Sequence, residues 1–185
     1  MCQINPMYFL MKFLIKQTLR VIYLFLFFII YQIDAQKLEN KYLNNVGDIQ
    51  FDPKIDDPEF KICNPDISFQ YYNFPKGFQY KGEKYEILKI WKEEYSTTVS
   101  SFKETGYITI RFLVNCEGKT GLFRIQQMDK NYNATFFNED FVNIILKFTK
   151  ELDGWGVNKY KEQKVDYYQY LTFKVEDGII KEILP

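Results

Sequence analysis

Gly106–Met128, GYITIRFLVNCEGKTGLFRIQQM, is the stretch that decides the fold. Ile108, Ile110, Phe112 and Val114 alternate with Tyr107, Thr109, Arg111 and Asn115. That period of two marks a strand with one apolar face and one mostly wet face. Cys116-Glu117-Gly118-Lys119 supplies a turn, with Gly118 free to take a positive φ. The return strand sets Phe123 and Ile125 on one face and Arg124 and Gln126 on the other. The spacing predicts a β-hairpin.

Working outward toward the C-terminus, the period changes. Phe141, Ile144, Ile145, Phe148 and Leu152 recur at helical spacing behind Asn138, an N-cap residue, with Glu139 and Asp140 in the first turn. Asp153-Gly154 reads as the C-cap, with the glycine left-handed. Trp155 follows, then a charged connector, Lys159 to Lys164. Val165 to Glu176 is a long strand. Val165, Tyr167, Leu171, Phe173 and Val175 share one face, with Gln169 the exception among them. Asp166, Tyr168, Tyr170, Thr172 and Lys174 share the other. Asp177-Gly178 signals a tight turn, and Ile179 to Leu184 a short closing strand. Upstream, Glu83 to Tyr95 carries Ile87, Leu88, Ile90, Trp91 and Tyr95 as the apolar stripe of a second helix, with Trp91 as core. The expected fold is therefore α+β, a small antiparallel sheet of hairpin and long strand packed on two helices, over residues 83–185.

Residues 36–82 have weak periodicity and hold Pro53, Pro58, Pro65 and Pro75. They read as an irregular arm crossing the domain surface, with Phe51, Phe60, Ile62, Phe69 and Tyr71-Tyr72 available to press into it. Asp52, Asp56, Asp57 and Glu59 lack the spacing and central glycine of a calcium loop, so they are expected to be solvated turn carboxylates.

The first 35 residues have the order of an export signal. Lys12, Lys16 and Arg20 are basic, Val21 to Ile33 is apolar, and Ile33-Asp34-Ala35 ends on a small residue ahead of Gln36. The apolar run is short of the roughly 20 residues that span a bilayer. Cleavage after Ala35 is the expectation. An uncleaved anchor recruiting Tyr8 to Ile15 is the alternative, with the basic residues then interrupting the span. Cleavage leaves Cys63 and Cys116 as a pair, which in an exported chain is a disulfide candidate. Two buried free thiols are the competing reading. Neither lies in a C-x-x-C, so a redox motif is absent.

Composition narrows the function classes. The 185 residues carry 24 basic and 24 acidic side chains, so nothing in the charge points to nucleic acid. The chain has no histidine, which removes Ser-His-Asp and Cys-His catalysis and histidine metal sites. No Gly-rich phosphate loop, nucleophile elbow or metal-ligand cluster is present, so no cofactor, metal or catalytic residue is assigned and an enzyme is not expected. Aromatics make up 19% of the chain, chiefly as core and sheet rings.

The order strand, Gly turn, strand, helix, Trp, strand resembles the TonB C-terminal domain. The residues that carry it are Gly106 to Asn115, Glu117-Gly118-Lys119, the helix through Phe141 to Leu152, Trp155, and the strand ending Leu171-Thr172-Phe173. The long Pro-rich linker of that family is missing here. The resemblance implies an envelope module, linked to outer-membrane transport, that takes an extended peptide along a sheet edge. The edge residues it implies are Asp166, Tyr168, Tyr170, Thr172 and Lys174. Its implied partner is an envelope protein or peptide, such as an outer-membrane transporter, and a homodimer stays open. The alternative is a structural envelope protein that uses the fold as scaffold.

Overall fold

The structure is a computed structural model and describes residues 15–20, 23, 47–67 and 69–185. The chain divides into two units, Met1–Tyr42 and Leu43–Pro185. In the first, residues 15–20 and 23 are helical. The rest of the expected export signal, including Ala35, lies outside the described residues, as does the start of the arm. Among the described residues no helix is long and apolar enough to cross a membrane.

The second unit is α+β. Helix α1 (Glu83–Ile90) runs into a π-helical turn, Trp91–Tyr95. Strands β1 (Gly106–Val114) and β2 (Thr120–Asp129) form the expected hairpin, with Gly118 at φ 81° in its turn. Helix α2 (Glu139–Glu151) follows. Its Asn138 side chain accepts the N–H groups of Asp140 and Phe141 at 3.0 and 3.2 Å, which satisfies two donors the helix itself cannot. Then come β3 (Asn158–Tyr160), β4 (Gln163–Val165), β5 (Tyr167–Glu176) and β6 (Ile179–Leu184).

All pairings between these strands are antiparallel. The main sheet has the order β2-β1-β5-β6, and β3 with β4 makes a separate two-stranded ribbon. The charged connector is thus a hairpin. Its tip is Lys161 and Glu162, both at positive φ, 46° and 67°. The Gly154 C-cap is corrected too. Helix α2 ends with Leu152 in extended backbone. Gly154 is small for another reason: a Cβ there would stand 2.8 Å from the Tyr80 ring.

One face of the sheet holds the main core. Ile108, Ile110 and Phe112 of β1 and Leu171 and Phe173 of β5 are fully buried against Phe141, Ile145 and Phe148 of α2 and Ile87 of α1. Trp91 joins them, edge-on to Phe148 at 5.0 Å, as expected of a core ring. Trp155 meets Phe112 at 5.1 Å and Tyr80 at 5.0 Å, closing the core where the arm enters α1.

The opposite face of the sheet is not wet. Arg111, Leu113, Leu122, Arg124 and Tyr168 are all buried, because residues 47–67 of the arm lie over them. A β-bulge accommodates that layer. Arg111 pairs with Arg124, but Leu113 pairs with Gly121, so β2 carries one extra residue at Leu122, whose φ is 55°. The extra residue turns Gly121 toward the arm, where a Cβ would stand 2.4 Å from the Phe60 ring.

Candidate functional site: the arm cleft

The arm crosses the hairpin in two legs, and a cleft of about 280 Å³ opens between them. Asp48, Ile49, Gln50 and Phe51 supply one wall. Ile62, Asn64, Pro65, Ile67 and Phe69 supply the other. Leu113 of β1, with Asp166 and Tyr168 around the start of β5, makes the floor.

Each wall is tied to the sheet by a polar group. Cys63 and Cys116 form a disulfide with Cα atoms 6.0 Å apart, which staples the second leg to the hairpin turn. Directly beside it, the buried Asp166 carboxylate accepts three backbone N–H groups. Those of Cys63 and Asn64 reach Oδ2 at 2.7 Å each, and that of Cys116 reaches Oδ1 at 2.8 Å. Asp166 sits between β4 and β5, so the break in the expected long strand is where the carboxylate turns to the arm. Asn115 adds a further tie. Its amide donates to the Lys61 carbonyl at 3.0 Å, while its Oδ1 accepts the N–H groups of Glu117 and Lys119.

The first leg is held by two arginines. Arg124 forms a bidentate pair with Asp56 at 2.7 and 2.6 Å and also donates to the Gln50 carbonyl. Both partners are almost completely buried. Burial alone would raise the Asp56 carboxyl, but its hydrogen bonds from Arg124 and the Asp52 N–H, with the guanidinium charge, hold it below its ordinary value. The expectation of a solvated carboxylate is therefore overturned at Asp56. It holds at the exposed Asp57 and Glu59, while Asp52 is half-buried; the Oδ1 atoms of Asp52 and Asp57 cap the turn N–H groups of Lys54 and Glu59. Arg111 lies 4.2 Å from the Tyr168 ring centre and 5.4 Å from that of Tyr170, and donates to the Gly47 carbonyl.

Tyr168 joins the two legs. Its hydroxyl accepts the Ile49 N–H at 3.0 Å, and its backbone N–H donates to Phe69 at 2.8 Å. Burial is the main reason its phenol is pushed up, and the Asp48 carboxylate adds to it.

These contacts correct the expected binding edge. Strand β5 is interior: β1 covers one side along its whole length, β6 pairs with Thr172 to Glu176 on the other, and Phe69-Gln70 of the arm covers Tyr168. The chain's own segments occupy the outward hydrogen-bonding positions of Tyr168 and of Thr172 to Glu176, which leaves no run long enough for a peptide strand. Of the five expected residues, Asp166 and Tyr168 come together in the cleft floor. Tyr170 donates to Gln70 Oε1 at 2.9 Å, Thr172 meets Thr109 across the strands at 2.9 Å, and Lys174 pairs with Glu176 at the surface.

Arg111 and Arg124 are what the wet-face reading missed. They are directly opposite in the hairpin register. Like charges so placed repel unless each has its own partner, and that is the sequence signal that the arm must bring acceptors to this face. Among the described residues, the one grouping of cysteines and acids dense enough for a cation is Cys63, Cys116 and Asp166. There the sulfurs bond each other and the carboxylate takes the three N–H groups.

Comparison with protein families, with characterised proteins and with solved structures finds no match to this chain.

Proposed function

We propose that this chain is an exported, TonB C-terminal-like binding module of the cell envelope, which holds a segment of a partner protein. The observation that carries the reading is the arm cleft. Phe51, Ile62 and Ile67 stand 51%, 41% and 41% exposed around a floor of Leu113 and Tyr168. Apolar side chains grouped in this way at a rigid concavity are the usual mark of a surface that meets another molecule. The Cys63–Cys116 disulfide supports an oxidising compartment and so an export signal in the first 35 residues. Binding proceeds by insertion of side chains into the cleft, since strand addition along β5 is closed.

The test is selection from a random peptide display library on the oxidised chain beginning at Gln36. Enrichment of related sequences that free soluble peptide displaces is the expected result. A library that returns no enrichment overturns the binding reading. The closed β5 edge then favours the scaffold role, in which the fold carries the arm and contacts no peptide. Mass spectrometry of the exported protein checks the location: a chain starting at Gln36 supports it, and a retained leader does not.

A further inference from the structure

The geometry points to the chemistry of the occupant: a peptide segment with an apolar side chain beside a lysine or arginine. This rests on the binding reading above and adds to it which segments the cleft accepts. The cleft is narrow, and its walls are aliphatic and aromatic, from Ile49, Phe51, Ile62, Ile67 and Phe69. At about 280 Å³ it is the size for one or two side chains, below the usual range for a whole drug-sized ligand.

Charge then selects among apolar segments. The carboxylates that line the cleft are Asp48 and Asp166, and among the described residues no lysine or arginine lines it. Arg111, against the floor ring of Tyr168, is buried at 2% exposure and donates to Gly47. Asp166 is fixed by the N–H groups of Cys63, Asn64 and Cys116, so its charge cannot swing away from the floor. A cleft with apolar walls and negative ionic lining favours a cation next to the inserted side chain and disfavours an anion there. The walls are preset by the disulfide and the Arg124–Asp56 pair, so little ordering cost falls on the protein side.

The experiment uses the oxidised chain from Gln36, labelled with nitrogen-15, and three end-blocked pentapeptides: Gly-Phe-Lys-Phe-Gly, Gly-Phe-Glu-Phe-Gly and Gly-Ser-Lys-Ser-Gly. The lysine-phenylalanine peptide is expected to shift the amides of Ile49, Gln50, Phe51, Ile62 and Ile67. The other two are expected to bind at least about tenfold more weakly. Ile67→Ser, on a half-exposed rim residue, weakens the first peptide by about tenfold or more, whereas Ile179→Ser, on the exposed end of β6, leaves it unchanged. Equal binding of the lysine and glutamate peptides overturns the inference, as does indifference to Ile67→Ser. Failure of all three peptides also overturns it. In each case the binding reading itself stands or falls separately on the display selection.

Discussion

Asp166 joins backbone from two distant places in the sequence, and its worth is set by what it satisfies. Three N–H groups aim at one buried carboxylate. Asp166→Asn removes the charge and leaves one oxygen where two accepted. We expect a loss of about 2–3 kcal/mol in urea unfolding of the oxidised protein, together with slower formation of the disulfide from the reduced chain, because the two cysteine backbones are no longer held side by side. Gln169 is the converse. It is fully buried on the core face, its Nε2 donates to Tyr170 O at 2.8 Å, and its Oε1 has no protein partner among the described residues. Gln169→Met keeps the volume and removes the orphan acceptor, so unfolding should shift to higher urea by about 1 kcal/mol of stability. Both residues stood out in the sequence. Gln169 broke an apolar alternation, and Asp166 was placed on the opposite face of the same strand. The sequence could not show that the carboxylate would leave the strand to hold the arm, since that depends on backbone more than 100 residues away.

At the scale of elements, the hairpin, helix α2 and the closing strand form where period places them, whereas the expected long strand breaks at Asp166 and helix α1 gives way to a π-helical turn at Trp91. What escaped the period has a physical reason in each case. The β3–β4 ribbon has strands of three residues each, too short to show a period, and turns on Lys161 and Glu162 with no glycine or asparagine at the tip. The bulge at Leu122 answers to Phe60, a partner from another element. The arm itself was legible in its prolines and in apolar residues such as Phe51, Phe60 and Ile62, and the acceptors it brings were signalled by the opposed arginines. Its strongest tie is Arg124–Asp56. Arg124→Met leaves a buried carboxylate alone and should cost about 3–5 kcal/mol. Replacing both partners, Arg124→Met with Asp56→Leu, should recover most of that loss, because neither desolvated charge remains. A double-mutant cycle by chemical unfolding reads the difference, and simple additivity of the two single losses would contradict the role of the pair.

For the whole molecule, the same pair sets a dependence on acid. The folded Asp56 carboxyl lies below its ordinary value of 3.8, so the folded state binds that proton less readily than the unfolded chain. Its contribution to stability is therefore complete well above 3.8, declines as pH falls through that value, and is gone below the folded pKa. The urea midpoint should fall between pH 5 and pH 3 and do so less steeply in the doubly substituted protein. Equal slopes would remove Asp56 from the account. The arm cleft was half legible. Its aromatic and aliphatic rim was named in the arm, and its floor in β5. Their meeting was not, because the wet-face reading of the hairpin left no room for a second layer. The disulfide has one more consequence. Lys84, Lys89, Lys92 and Lys103 are exposed within the loop that Cys63 and Cys116 close. A chain hydrolysed by trypsin at any of these four lysines stays a single covalent species on a denaturing gel, and comes apart into two fragments only when a thiol is added.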